Sequence, residues 1–188
     1  MTRVTAVYKP ADYPGTPEQA ATAGVAELFG YLFPGKANPE IDAAHLGVAV
    51  TARNPMLALN LARMSGFVAR DLGWCQDQKL HELAVQAVNQ HFGCAYTLRA
   101  RAARAASLGL GPDVLAAIPD GGASPVFSET ERLVVTYARA VASGNVPAVL
   151  FAEVAARFGE TGAVECTAAI AWWGMWAMII NALCPDGA

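Results

Sequence analysis

Charge is scarce in this chain. Lys, Arg, Asp and Glu supply 15% of its 188 residues, against 54% apolar residues. What charge there is sums to −3, which excludes a general nucleic-acid binder, because such a protein needs a positive surface. So apolar a composition predicts extensive burial or a subunit interface, and a homo-oligomer is expected. Histidine is rarer still: His45, His81 and His91 show no zinc-ligand spacing. The cysteines Cys75, Cys94, Cys166 and Cys184 are widely separated and form no Cys-x-x-Cys pair. No Gly-rich phosphate loop follows a strand, so neither a metal nor an organic cofactor is expected. Cysteines used in this way suit a reducing, cytoplasmic compartment. The opening residues, MTRVTAVYKPADYPGTPEQ, lack the apolar run of a secretory signal.

One stretch lacks charge altogether. CTAAIAWWGMWAMIINALC, from Cys166 to Cys184, is near the lower length limit for a membrane-spanning helix. Glu165 stands at its start, Asn181 lies near its end, and no Lys or Arg follows. It is read as a core or interface helix, with no membrane partner.

What is present is helical punctuation. Residues 1–16 hold Pro10, Pro14 and Gly15 and read as an extended arm. Pro17 to Phe33 fits a first helix, closed by Pro34-Gly35. Asn38-Pro39 and Asn54-Pro55 each place a capping residue before a proline at the first helical position. The first of these predicts a helix to about Arg53, the second a helix to about Gly73. Gly111-Pro112 opens a short helix, and Pro119-Asp120-Gly121-Gly122 is a loop. Ser128-Glu129-Thr130-Glu131 is a capping box opening a helix to about Ser143. A further helix runs from Pro147 to Phe158-Gly159, and the last from about Thr161 to Leu183. No strand-like alternation and no internal repeat occurs. The expectation is an all-α helical bundle of eight or nine helices, with residues 17–188 as one domain behind the arm.

The chemistry concentrates between Leu80 and Leu110, read as two helices meeting at Gly93. Glu82 sits in the first among small and branched apolar residues. Glu82, Gln86, Asn89 and Gln90 recur at helical spacing, which also fits a solvated stripe. The second helix begins at Gly93-Cys94. Cys94, Thr97 and Arg101 share one of its faces, since seven residues are close to two turns. A cation at Arg101 would favour a thiolate at Cys94, as would the helix N-terminus, or it would bind a substrate carboxylate in a bidentate pair. Arg99, Arg101 and Arg104 equally fit a solvent face or a salt-bridge set. His91, three residues before Cys94, is a candidate base if the bend at Gly93 turns it inward. Tyr96 either packs or offers its hydroxyl to a ligand. The stripe Trp172, Trp173, Met175, Trp176 and Met178 reads as core or oligomer contact.

Glu82, then Gly93-Cys94-Ala95-Tyr96, Ala106-Ser107-Leu108-Gly109-Leu110 and Ala116-Ala117-Ile118, follow one another in an order that resembles the carboxymuconolactone decarboxylase family, which includes the alkylhydroperoxidase D-like proteins. FSETERLVVTYARAV and the apolar last helix extend the likeness over roughly residues 50–183. The resemblance implies an alkylhydroperoxidase D-like helical bundle, assembly into oligomers, and a proton-relay acid at Glu82, twelve residues before Cys94. It also implies either decarboxylase-type lyase chemistry on carboxylated lactones of aromatic catabolism, or peroxidase activity. Peroxidase members carry Cys-x-x-Cys-x-x-x-His on the second helix. Here Thr97 holds the second cysteine position and Arg101 the histidine position.

These departures shape the functional expectation. A peroxidatic cysteine attacks as a thiolate, and its sulfenic acid needs a second thiol to resolve it. Thr97 cannot resolve it, so a peroxidase here would use Cys94 with an external reductant. The favoured reading is a small-molecule enzyme with Glu82, Cys94 and His91 as candidate catalytic residues. Arg101, Tyr96 and Thr97 are the candidate substrate-binding residues. Its substrate would be a small carboxylated lactone or aromatic-derived acid. A degenerate, non-catalytic binding or assembly protein is the third reading.

Overall fold

The computed structural model describes residues 2–121 and 123–184. Gly122, the last residue of the loop expected over 119–122, and residues 185–188 lie outside the described residues. Among the described residues there are nine α-helices and no strand. In order they are α1 (Pro17–Thr22), α2 (Val25–Leu32), α3 (Leu46–Thr51), α4 (Pro55–Arg70), α5 (Gln78–His91), α6 (Ala95–Ser107), α7 (Pro112–Ala117), α8 (Glu129–Ala142) and α9 (Ala148–Leu183). The fold is all-α, and the chain divides into two compact units.

The first unit holds the residues up to Gly66 together with the stretch from Ile179. Its core is Val7, Val25, Leu28, Phe29, Ile41, Ala49, Ala52, Ala58 and Leu59. Two helical expectations change here. The single helix over 17–33 is two, because Gly24 takes a left-handed conformation at φ 80° between α1 and α2. Asn38-Pro39 starts no helix. The Ile41 N–H is instead used by the Tyr8 carbonyl at 2.7 Å, in an extended run that also ties the Val7 N–H to the Ala49 carbonyl at 2.8 Å. The helical turn starts only at Asp42, whose carboxylate accepts the Ala44 N–H at 2.8 Å. Asn54-Pro55 acts as expected: the Asn54 side chain accepts the Leu57 N–H and α4 begins at Pro55.

The second unit, Phe67–Met178, carries the site. Its central element is α5, buried at every position from His81 to Asn89. Asp77 caps α5 by accepting the Leu80 N–H at 3.0 Å. Leu83, Ala84, Ala87 and Val88 on α5 join Val134, Val135, Tyr137 and Ala138 of α8 and Ala163, Cys166, Ala169 and Ile170 of α9 in one core. Ser128 and Glu131 form the expected capping box at the start of α8. The break expected near Gly159 is a sharp one inside α9, at φ 75° and ψ 166°. By length and composition α9 is apolar enough to cross a membrane, yet Ala163, Cys166, Ala169 and Ile170 line one side of it and are buried in this core.

Gly174 sets how closely α9 approaches α5. A Cβ built there meets Phe92 at 3.1 Å and Val88 at 3.6 Å. Gly174→Val is therefore expected to destabilise the protein by ~1–3 kcal/mol through overpacking, read as a lower midpoint in urea denaturation. An unchanged midpoint would show that α9 does not sit this close.

Candidate functional site

The turn between α5 and α6 creates the site. Gly93 adopts φ 62°, a left-handed conformation that a residue with a Cβ takes at a cost. The chain reverses there, and the Cys94 N–H returns to the Asn89 carbonyl at 2.8 Å. This reversal lays α6 back along α5, so that Arg101 and Arg104 come level with the start of α5.

The polar stripe on α5 faces inward. Glu82 is 1% exposed, and Gln86 and Asn89 are equally buried, which replaces the solvated-stripe alternative for these three. Gln90 lies at the edge and donates to the Leu115 carbonyl at 2.9 Å. A buried carboxylate needs its lone pairs satisfied. Glu82 Oε1 accepts from Gln86 Nε2 at 2.9 Å and from Arg101 Nε at 3.1 Å. Glu82 Oε2 accepts from the terminal nitrogen Nη2 of Arg101 and forms an ion pair with Arg104, whose Nε lies 3.2 Å away. The Arg101 contact is thus a bidentate fork, the geometry for which guanidinium and carboxylate are matched. Arg104 also donates to the Gln78 side chain.

Arg101 has a second anchor. Its guanidinium lies over the Trp173 ring, 4.6 Å from the centroid. The Trp173 indole N–H donates to His81 Nε2 at 3.0 Å, and the His81 ring meets Trp74 edge-on with centroids 6.3 Å apart. His81, Trp173, Arg101 and Glu82 therefore form a continuous chain of contacts. Burial, and then the positive charge of Arg101, depress the His81 pKa to about 4. The imidazole is neutral near pH 7, with Nε2 as the acceptor and the proton on Nδ1.

The residues singled out from the sequence fall into separate groups. Glu82 and Arg101 are brought together. Cys94 and Thr97 form a second pair, fully enclosed, with Sγ and Oγ1 3.2 Å apart. The cation expected to support a thiolate at Cys94 is instead taken up by Glu82. Tyr96 is half-buried on α6. His91 is exposed at the end of α5 with its ring against Phe92, centroids 5.0 Å apart, so the bend at Gly93 does not bring it inward. The histidine in the site is His81. Sequence reasoning gave neither His81 nor Trp173 a place there, while Arg104 takes the salt-bridge alternative by pairing with Glu82. The one local signal for His81 was adjacency to Glu82 within an apolar helix; its indole partner stands 92 residues away.

All four cysteines are free and buried. Burial pushes the Cys75 thiol up to about 12 and raises the Cys166 thiol as well. Cys75, Cys94 and Cys166 are expected to resist Ellman's reagent in the native protein and to react fully in guanidinium. Prompt native reaction of Cys94 would show an open path to its sulfur. Among the described residues no group of three or more His, Cys, Asp or Glu is placed to hold a metal ion. No family model, curated protein or solved structure matches the chain.

Proposed function

We propose that this chain is a carboxymuconolactone decarboxylase-like enzyme in which Glu82 acts as general acid and base on a small carboxylated lactone or aromatic-derived acid. One observation carries the reading: a fully buried carboxylate held by two guanidinium groups of unequal exposure. The Arg101 side chain is 20% exposed and that of Arg104 is 46% exposed. Two cations on one carboxylate leave a surplus positive charge at the outer edge of the site, which suits an anionic ligand.

The roles divide accordingly. Arg101, pinned between Glu82 and Trp173, orients the carboxylate rather than anchoring the substrate. Arg104 is the half-exposed arm, joined to Glu82 Oε2 at 3.2 Å, and it is the group that takes a substrate carboxylate. When Arg104 turns outward to the substrate, Oε2 keeps only its Arg101 contact and has a lone pair free to exchange a proton with the neighbouring carbon. His81, neutral and tied to Trp173, does not compete for that proton. A homo-oligomer in a reducing, cytoplasmic setting completes the proposal; the apolar composition and the four free thiols support it.

Enclosure of Cys94 against Thr97 weighs against the peroxidase alternative, because a peroxide must reach the sulfur in line. The test uses a panel of carboxylated lactones and aromatic-derived acids with calorimetric binding and turnover assays. Glu82→Gln is expected to stop turnover and keep binding. Arg104→Ala is expected to weaken binding by about 10-fold, the modest size reflecting its partial exposure. If no carboxylate binds the wild-type protein, or if Glu82→Gln turns over normally, the proposal fails.

A further inference from the structure

To turn outward, Arg104 must leave two acceptors. One is Glu82 Oε2, an ion pair with Arg104 Nε 3.2 Å away. The other is the Gln78 side chain, whose Oε1 accepts from Arg104 Nη2. Among the described residues this is the one hydrogen bond of that guanidinium. A hydrogen bond weakens steeply off line, so the contact with Gln78 fixes where the half-exposed arm points.

Gln78 is itself held. It is the first residue of α5, directly after the Asp77 cap. Its Nε2 donates to the Cys75 carbonyl at 2.8 Å, so the amide has one orientation, nitrogen towards Cys75 and oxygen towards Arg104. Turning the amide over would set donor against donor at Arg104 and acceptor against acceptor at Cys75. Cys75 is fully buried in the core, which makes its carbonyl a fixed anchor. The neighbouring Lys79 points elsewhere, to Glu131 on α8 at 2.6 Å. Gln78 thus joins the start of α5 to α6 across 26 residues of chain, and it does so without a charge.

We propose that Gln78 is the latch of the site, a positioning residue that holds Arg104 against Glu82 and sets how readily a substrate carboxylate draws it away. The inference rests on the reading of Arg104 as the carboxylate-binding arm. A ligand that needs the arm turned outward binds more weakly in proportion to the fraction of molecules in which the arm is free. A neutral acceptor keeps that fraction low but yields to a carboxylate, whose hydrogen bonds to a guanidinium are the stronger ones.

Two substitutions move the latch in opposite directions. Gln78→Ala removes the acceptor, whereas Gln78→Glu keeps an acceptor and charges it. Phenylglyoxal, a neutral reagent for accessible guanidinium groups, reads the arm with no ligand present. Peptide mapping by mass spectrometry gives the rate at each arginine, and circular dichroism checks that each variant folds. The rate at Arg104 is expected to rise about fivefold in Gln78→Ala, the worth of one partly exposed hydrogen bond, and to fall below wild type in Gln78→Glu. The rate at Arg101, pinned under Glu82 and Trp173, is expected to stay unchanged. Benzoate binding, measured by calorimetry, is expected to tighten up to about fivefold in Gln78→Ala and to weaken in Gln78→Glu. An Arg104 rate that ignores both substitutions, or moves the same way in both, overturns the latch. So does benzoate that binds all three proteins alike. If the rates follow the expected pattern while benzoate binds neither the wild type nor Gln78→Ala, the hold on Arg104 stands and the carboxylate-arm reading falls.

Discussion

Arg101→Ala is expected to lower the unfolding free energy by about 3 kcal/mol, the lower end of the range for breaking a buried ion pair. The size follows from what is left behind. Glu82 has a side chain with no exposure, and losing Arg101 removes one N–H from each carboxylate oxygen. Gln86 and Arg104 remain on the carboxylate, and Arg101 itself reaches solvent at its edge, so the loss stops short of the upper end. The loss belongs to the unpaired charge rather than to the pair. Replacing both members, as in Glu82→Leu with Arg101→Met, should therefore recover most of the stability, while Arg104 is exposed enough to be solvated alone. Urea denaturation of Glu82→Leu, Arg101→Met and the double variant closes the cycle. Strictly additive effects would show that Glu82 and Arg101 do not form the bidentate pair described above.

Acid is expected to destabilise the protein through His81. The folded imidazole has its pKa depressed to about 4, below the ordinary value of 6.5. At intermediate pH the unfolded chain then binds the proton more readily than the folded one. The stability from His81 is fully present above pH 6.5 and is lost as pH falls towards 4, to a total of about 3 kcal/mol. The structural reason is specific. A protonated Nε2 cannot accept the Trp173 N–H, and the new charge would sit in a buried site beside Arg101. His81→Gln keeps an acceptor for Trp173 but does not titrate. Its stability, measured by denaturation between pH 7 and 4, should fall less steeply than that of the wild type by about this amount. Parallel curves for the two proteins would remove His81 from any role in the acid response.

The two predictions concern one constellation, and its parts differ in how visible they are along the chain. Local signals are strong where a single turn satisfies its own backbone. Asn54-Pro55, the Ser128–Glu131 box and the break at Gly159 all read correctly because their partners lie within a few residues. Asn38-Pro39 carries the same local signal as Asn54-Pro55 and fails. There the Tyr8 carbonyl claims the Ile41 N–H, and a contact 33 residues apart (41 − 8) outweighs a cap.

The sequence by itself determined most of the helical punctuation of this protein, the all-α class and the placement of Glu82 on an apolar helix. Those features depend on spacing along a helix, and spacing is written in the chain. Only the tertiary structure decided that the polar stripe on α5 turns inward and that Arg101 pairs with Glu82 rather than supporting Cys94. It likewise decided that His81, and not His91, belongs to the site. Helical spacing says which side chains share a face but not which way the face points. That is fixed when the reversal at Gly93 lays α6 on α5 and α9 brings Trp173 against both Arg101 and His81.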